Sequence, residues 1–421
     1  MEYYQQKLAN GVSLHMLPLD RYKTTFIGIN IYCGLGHERA ATGLIPHVLQ
    51  KGSSAYPTAR QLRSRLAELY GSQFGAGVVK RGEQQLLQLR LQLVHDSHIS
   101  DGSSLLEDCL DILQGVMLDP YTESGSFKPE YVAIERKNAA DKIRSLLNDK
   151  SRYAFHRCLA HLCPQRDYSH NKFGTVEAVE AVDAEHLWQK YQHVLATAPA
   201  DVFVCGRYDH NRVVDGINSR FNWSRRGEKA LEPAIPLPEE NPRTVKEQMD
   251  ISQGQLVMAM TTEINQSDNR YPALVLYNGI LGAFPHSKLF QQVREKKGLA
   301  YHIGSSLDSM MGVQFISGGI DAESFDDTVE VIADQLRQMR KGEITADEME
   351  WTRIGLRTGL LQMYDDLGEQ VSLAIDGRIS GRRWLIPQLI EEMERLTLSD
   401  VVEAARTMKL QVTYFLSGGE G

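Results

Sequence analysis

The sequence has no long apolar run, no block of basic residues and no paired cysteine motif, and each absence excludes a class of protein. No apolar stretch approaches the roughly 18 residues that are needed to cross a bilayer. The net charge of −8 argues against a general nucleic-acid-binding protein. Five cysteines, an odd number without regular spacing, are typical of a reducing compartment. The polar first residues also lack the apolar segment of a secretion signal, so we expect a cytoplasmic protein that contacts neither membrane nor nucleic acid.

Motifs for nucleotide binding and for nucleophilic catalysis are also missing. Ser317-Gly318-Gly319 is not followed by the Lys-Ser/Thr of a phosphate-binding loop. No Ser/His/Asp or Cys/His arrangement stands out, although the sequence does not exclude a triad whose members meet only in the folded chain. What remains is a chain of 421 residues with ordinary globular composition, which is long enough for two or three domains.

The order of predicted elements is that of a mixed α+β protein. Asn10-Gly11 between short apolar runs predicts a hairpin, and the alternation of leucines with polar residues over 87–93 predicts a half-buried strand. Periodicity and composition predict further strands at 24–33, 201–206 and 411–418, and helices at 43–50, 58–70, 104–117 and 129–147. Four prolines between 233 and 242 predict an extended linker. We therefore predict a domain at 1–224, a linker at 225–244 and a domain at 245–421.

The two predicted domains repeat one pattern. Each half has a long helix, and a gapless alignment of the two helices pairs Arg136 with Arg353. Val182, which precedes a later helix, aligns with Leu396. The second long helix begins with Thr345-x-x-Glu348, the spacing of a capping box. We infer two homologous sandwich domains, each a mostly antiparallel sheet with helices packed on one face.

The stretch from Gly43 to Pro57 resembles the zinc-binding helix of the insulinase/pitrilysin family of peptidases. It has the same Gly-Leu approach and apolar turn, followed by Lys51-Gly52 and Tyr-Pro. In that family H-x-x-E-H places two histidines around zinc and a glutamate between them as the base. Counted back from Lys51-Gly52, these positions fall on Gly43, Pro46 and His47. A single imidazole does not hold zinc and a proline takes no proton, so the resemblance implies the helix without its chemistry.

The third zinc ligand of the family is a glutamate seven residues after the Glu of a Glu-Arg pair. The pair here is Glu135-Arg136, and the seventh residue after Glu135 is Lys142. The resemblance thus implies a cation where zinc requires a carboxylate. We expect no metal or other cofactor in this chain, and we expect His47 to be a packed or partly exposed helix residue.

A segment of the second half, 289–301, resembles the R-E-K-x-G-L-A-Y signature of the family's bacterial branch. There the arginine and the tyrosine reach the zinc site across the cavity, bind the backbone of the substrate and stabilise the oxyanion. Both positions are kept here, as Arg294 and Tyr301. A guanidinium and a phenol are donors suited to these tasks. In a purely structural interpretation, Arg294 would lie on a solvated helix face and Tyr301 would pack in the core.

One further cluster could bind a metal, and it consists of His156, Cys158, His161, Cys163 and His170. On a helix, His156 and Cys163 would share one face while Cys158 and His161 would share another. Ligands on two faces do not close around one tetrahedral ion. We therefore favour an amphipathic helix with two buried cysteines over a metal site.

The resemblance covers nearly the whole chain, including a loop at 168–175 that is similar to the family's loop ending in Gly-Thr. It implies two domains that face each other as a clamshell, and a bacterial subunit without catalytic activity of its own. In two-subunit members, one chain carries the zinc helix and a degenerate partner carries the Arg/Tyr pair. We expect this chain to bind an extended peptide through Arg294 and Tyr301 beside the zinc of an H-x-x-E-H partner. A homodimer could form when that partner is missing.

Two alternatives belong to other functional classes. The chain could be a stand-alone peptide-binding or scaffold protein with no role in proteolysis, which would have no reason to keep Arg294 and Tyr301. It could also be an active metallopeptidase with an unrecognised site, for which His47 and the cluster at 156–170 are the only support.

Overall fold

The computed structural model describes residues 3–99, 104–221, 237 and 240–418, which form two compact units. The first unit contains the described residues up to 144 and those from 171 to 221. The second contains 145–170, 237 and 240–418. Most of the predicted linker at 225–244 lies outside the described residues. The predicted boundary at 224 had placed 145–170 with the first domain, whereas these residues pack in the second unit.

The first unit is built on one large sheet. Its strands are β1 (Tyr4–Ala9), β2 (Val12–Pro18), β3 (Thr24–Gly34), β4 (Gln73–Arg81), β5 (Gln84–Val94), the short pair β6 (Thr122–Glu123) and β7 (Ser126–Phe127), and β8 (Ala200–Gly206). The six long strands lie in the order β1-β2-β8-β3-β5-β4, and all neighbours are antiparallel except β2 and β8. The predicted hairpin at Asn10-Gly11 is confirmed, with Gly11 at φ +68° between β1 and β2.

Helices cover one face of this sheet. Up to residue 221 they are α1 (Arg39–Leu49), α2 (Ala59–Glu68), α3 (Leu105–Leu118), α4 (Pro129–Ser145), α5 (Lys150–Leu162, in the second unit), α6 (Val176–Glu180), α7 (Ala184–Thr197) and α8 (His210–Arg220), with 3₁₀ turns at Asp96–His98 and Asp167–Ser169. Leu87, Leu89, Leu91 and Leu93 of β5 are all buried in the core, which confirms the alternation predicted for this strand.

The second unit has a five-stranded sheet of the same design. Its strands are β9 (Arg243–Met249), β10 (Gly254–Thr261), β11 (Ala300–Asp308), β12 (Val313–Ile320) and β13 (Lys409–Gly418). They lie in the order β11-β12-β10-β13-β9, and the one parallel pair is β13 with β9. The helices are α9 (Tyr271–Asn278), α10 (Phe325–Lys341), α11 (Ala346–Tyr364), α12 (Leu367–Ser380), α13 (Ile386–Arg395) and α14 (Leu398–Thr407), with π-helical segments Gly279–Ala283 and Phe290–Lys296 and a 3₁₀ turn at Ala322–Ser324.

A shared hydrogen bond supports the internal repeat. Arg136 on α4 donates to the Val182 carbonyl at 3.0 Å, and Arg353 on α11 donates to the Leu396 carbonyl at 2.5 Å. These are the positions that the sequence had aligned, and each carbonyl lies just before a helix, α7 or α14. The predicted capping box of Thr345 and Glu348 is also present at the start of α11. The fold class of two homologous α+β domains is confirmed.

The second sheet also carries a helix on its other face. Leu256, Met258 and Met260 of β10 point into the core beneath α9, α10 and α14, while Val257 and Ala259 point the other way and contact α5. The alternation of side chains along a strand makes both faces of β10 apolar. Helix α5 therefore belongs to the second unit although it precedes β8 in the chain. No helix in the described part of the chain is long and apolar enough to span a bilayer.

Candidate functional site

Helix α1 carries the three positions that resemble a zinc motif, and it is almost entirely buried against β4 and β5. At the first position, a Cβ on Gly43 would lie 2.8 Å from Cδ1 of Phe173 and 3.1 Å from Nε2 of Gln85. Real Cβ atoms do not approach another carbon so closely, so any larger residue requires the Phe173 ring to move. The ring of Phe173 thus occupies the space next to the position of the first histidine.

The second position is Pro46, in the interior of the helix. Proline has no N–H to donate to the Thr42 carbonyl, and interior prolines destabilise helices by about 3 kcal/mol. Its side chain has no titratable atom. The residue predicted at the position of the general base therefore destabilises the helix and takes no part in proton transfer.

His47, at the third position, is a half-buried helix residue, as expected from the sequence. Its ring centroid lies 5.8 Å from that of Phe173, and its Nε2 atom is shielded from solvent without a hydrogen-bond partner among the described residues. Burial, followed by the positive charge of Lys142, lowers the pKa of His47 below its usual value of 6.5. The imidazole is therefore neutral at pH 7.

Helix α4 carries Lys142, the residue that the sequence predicts at the position of the third ligand. Glu135 is buried and forms an ion pair of 2.6 Å with Lys51, just beyond the end of α1. Lys142 follows two turns later on the same face of α4, and its charge acts on both His47 and Lys172. One imidazole, a carboxylate paired with lysine and a second lysine do not form a zinc-binding set. Within the described ranges, no group of three or more His, Cys, Asp and Glu residues could hold a metal ion.

Two side chains near α1 bind the backbone of the edge strand β4. Nε2 of Gln50 donates to the carbonyl of Ala76, and Nζ of Lys172 donates to that of Val78 at 2.7 Å. These carbonyls are two residues apart, so they point to the same side of the strand. Side-chain donors thus satisfy backbone acceptors on a strand that ends the sheet and has only one neighbouring strand.

In the second unit, Arg294 and Tyr301 flank a sharp turn between a helix and an edge strand. The π-helical segment Phe290–Lys296 is followed by Gly298, at φ +64°, whose N–H donates to the Arg294 carbonyl at 3.1 Å. Glycine adopts this left-handed conformation without a steric penalty. Strand β11 then begins at Ala300, and the sheet order places it at the edge.

Both side chains are accessible to solvent. The Arg294 guanidinium lies over the Phe290 ring, 4.7 Å from its centroid, and it is 3.8 Å from the Glu295 carboxylate. The Tyr301 side chain is 68% exposed, so the interpretation of Tyr301 as a core residue is wrong. A tyrosine with this exposure does not contribute a packed ring to the fold.

The histidines and cysteines at 156–170 do not come together as a metal site. Cys158 and Cys163 are buried, and Cys158 contacts the Val257 carbonyl. His161 stacks on Tyr414 with 6.0 Å between ring centroids, while His170 is exposed beyond the end of α5. The favoured prediction of an amphipathic helix with two buried cysteines is confirmed.

The sequence analysis missed the residues that fill the space beside Gly43. Phe173 and Lys172 lie in the loop at 168–175, which was matched to the family without a role. Gln85, fully buried, holds this loop against α1 by donating to the Lys172 carbonyl at 2.7 Å and to the Arg39 carbonyl at 2.9 Å. No spacing rule connects three segments so far apart in the chain, so only the fold could bring them together.

Comparison with known proteins gives matches over the full length of the chain. Residues 181–356 match the family described as "Peptidase M16 inactive domain". The chain is 30% identical over 412 residues to "Probable inactive metalloprotease YmfF" of Bacillus subtilis, with 98% of this chain and 97% of that protein covered. A conserved protein from Enterococcus faecalis V583 has a crystal structure with a TM-score of 0.93 and 30% identity, with 100% of both chains covered. A peptidase M16 inactive domain from Pseudomonas fluorescens shares the fold, with a TM-score of 0.83 at 16% identity and 100% and 99% coverage.

Proposed function

Because this chain belongs to the M16, or insulinase/pitrilysin, family of peptidases, of which it is a non-catalytic member, we propose that it is the substrate-binding subunit of a two-chain zinc peptidase. Its partner would be an M16 subunit with an intact H-x-x-E-H motif. That partner would hold the zinc ion, which polarises the scissile carbonyl and activates water when bound. This chain would need no cofactor of its own.

The contrast between the two units is the observation that carries the proposal. In the first unit, the positions of the zinc chemistry are Gly43, Pro46 and Lys142, none of which binds zinc or serves as a base at neutral pH. In the second unit, Arg294 and Tyr301 are both kept and both exposed. The Tyr301 hydroxyl has no hydrogen-bond partner in the described part of the chain, so a contribution to folding does not explain its presence.

The chemistry of these two side chains suits a bound peptide. The guanidinium of Arg294 offers several N–H donors in a fixed plane, which can bind carbonyl oxygens of an extended chain. The Tyr301 phenol offers one further donor, which can stabilise negative charge that develops on a carbonyl oxygen. Stacking on Phe290 restricts the Arg294 side chain before any ligand arrives. Both groups would bind and orient the peptide, and neither would move the proton.

The test is reconstitution with an H-x-x-E-H subunit from the same genome. We expect peptidase activity from the mixture and none from this chain alone. Arg294→Ala and Tyr301→Phe should each lower kcat of the assembled pair by roughly 10²–10³-fold, the usual effect of losing an oxyanion donor. Arg337→Ala is the matched control, because Arg337 is an exposed arginine on α10 that pairs with Asp334 at 3.1 Å.

The outcomes separate this proposal from its alternatives. Full activity of the pair with both variants would contradict the role of Arg294 and Tyr301. No activity in any mixture, together with peptide binding by the isolated chain, would favour a stand-alone peptide-binding protein. The packing of Phe173 beside Gly43 of α1 is also compatible with that second function, since it preserves the fold without a zinc site. Zinc-dependent cleavage by the isolated chain would instead reveal a metal site of its own.

A further inference from the structure

Strand β11 departs from regular alternation directly after it begins. Ala300 and His302 pair with consecutive residues of β12, so Tyr301 between them is the extra residue of a β-bulge. Ala300 and Ile303 both lie in the core of the second unit. The two residues between them, Tyr301 and His302, therefore both point to the opposite face of the sheet, which is the face that carries α5. Both are exposed.

The sequence Ser317-Gly318-Gly319 of β12, which matches no phosphate-binding loop, runs beside this bulge. A Cβ on Gly319 would lie 2.8 Å from Cε1 of His302, so the imidazole lies directly on bare backbone. A Cβ on Gly318 would lie 2.8 Å from the carbonyl oxygen of His302. Glycine at both positions therefore permits β11 and the His302 ring to approach β12 closely.

A cavity of about 220 Å³ is lined by His302, by the first half of α5 and by parts of β10 and β12. On α5, the ring of Phe155 packs against that of Phe315, with 4.5 Å between the centroids. Ser151, also on α5, donates a hydrogen bond of 2.7 Å to Oε1 of Gln255 on β10. These contacts hold α5 against the sheet beside the cavity, so the cavity is formed before any ligand binds.

The size of the cavity suits a single ring. It is larger than the roughly 150 Å³ that holds benzene in a protein interior, and smaller than the roughly 300–1,000 Å³ of pockets for drug-sized ligands. No carboxylate is among the described residues that line it, and the guanidinium of Arg152 is paired with Asp149 at 3.1 Å. Phe155, Leu256 and Val257 give the lining an apolar part, against which an aromatic ring can pack.

We propose that this cavity is a subsite for one aromatic side chain, phenylalanine or tyrosine, of the peptide that Arg294 and Tyr301 hold, an assignment that rests on the function proposed above. Tyr301 would bind the backbone of the peptide. His302, the next residue on the same face, would contact the aromatic side chain and so determine specificity. The bulge carries both tasks, because in a regular strand these neighbours would point to opposite faces.

Saturation-transfer NMR with p-cresol, the side-chain analogue of tyrosine, tests the cavity of the full-length chain without a peptide. We expect saturable binding of p-cresol at millimolar concentration, and no binding of acetate or n-butylamine, which represent acidic and basic side chains. Ser317→Phe should abolish the binding, because Ser317 is an exposed residue of the lining and a phenyl ring there would occupy the cavity. Ser306→Phe is the matched control, since Ser306 is an exposed serine of β11 outside the lining.

A second measurement uses peptides in which one phenylalanine is moved along a sequence of alanine and serine. At one position, phenylalanine should tighten binding to the full-length chain by roughly 10- to 100-fold over alanine, as expected for burial of one ring. His302→Ala should reduce this ratio, and Ser317→Phe should bring it close to one. Arg294→Ala should weaken the phenylalanine and alanine peptides alike and leave the ratio unchanged.

Three results would overturn the subsite. They are the absence of saturable p-cresol binding, p-cresol binding that Ser317→Phe leaves unchanged, and tighter binding of acetate than of p-cresol. Peptides that bind through Arg294 without any preference for phenylalanine would also overturn it, while the subunit proposal would stand. If p-cresol binds and no peptide does, the subunit proposal fails, and with it the assignment of the cavity to a peptide side chain.

Discussion

Replacing Gly43 by alanine tests whether the Phe173 ring fills the space beside Gly43. In a helix interior this change normally stabilises a protein by about 0.5–1 kcal/mol, because alanine loses less backbone entropy than glycine. Here the new methyl group would lie 2.8 Å from Cδ1 and 3.2 Å from Cε1 of Phe173. Overpacking of this kind costs typically about 1–3 kcal/mol. The free energy of unfolding should therefore fall by roughly 1 kcal/mol instead of rising.

The sign of the effect should change when the ring is removed. Phe173→Ala by itself costs about 3–5 kcal/mol, the usual loss for a buried phenylalanine. In that background, Gly43→Ala has only Nε2 of Gln85 within 3.1 Å, and the space left by the ring allows this amide to shift by a few tenths of an ångström while it keeps its hydrogen bonds. The second alanine should then be neutral or stabilising. The coupling free energy between the two changes should be about 1–3 kcal/mol.

Urea unfolding of the wild type, the two single variants and the double variant measures this coupling. Tryptophan fluorescence and circular dichroism should be followed together, because the chain has two units that need not unfold in one step. An equal effect of Gly43→Ala with and without the Phe173 ring would refute the reasoning. So would a stabilisation by Gly43→Ala in the wild type.

Two further predictions concern the same helix. The triple variant Gly43→His, Pro46→Glu and Lys142→Glu should bind zinc only weakly while Phe173 is present, as measured by elemental analysis and titration. Adding Phe173→Ala should tighten zinc binding roughly tenfold or more. Equal zinc affinity with and without the ring would show that the ring is no obstacle. Burial and Lys142 lower the pKa of His47, so the native state binds fewer protons than the unfolded state just below pH 6.5. The contribution of His47 to stability should therefore be complete above pH 6.5 and should decline as the pH falls below it. The ring resonances of His47, followed by NMR, should titrate below pH 6.5, and Lys142→Gln should shift that titration upwards; an unchanged midpoint would show that the charge of Lys142 does not reach His47.

Local signals in the sequence were sufficient for most elements of the fold. The hairpin at Asn10-Gly11, the alternation over 87–93 and the capping box at Thr345 each depend on residues that are neighbours in the chain. Element ends were less well determined. Helix α1 begins at Arg39 rather than at 43, and α4 ends at Ser145 rather than at 147. Helix ends depend on which residues the rest of the fold buries, and this information is not local.

The sequence by itself determined the family and the internal repeat, and it predicted the loss of the zinc ligands, because these follow from residue types at fixed spacings. Only the tertiary structure decided which unit receives α5, how Phe173 fills the space beside Gly43, and that Tyr301 is exposed rather than packed. The spacing rule also named Lys142, but only the folded structure shows that its positive charge lowers the pKa of His47. The physical reason is that covalent neighbours fix dihedral preferences and periodicity, whereas contacts across a hundred residues depend on the whole core that forms around them.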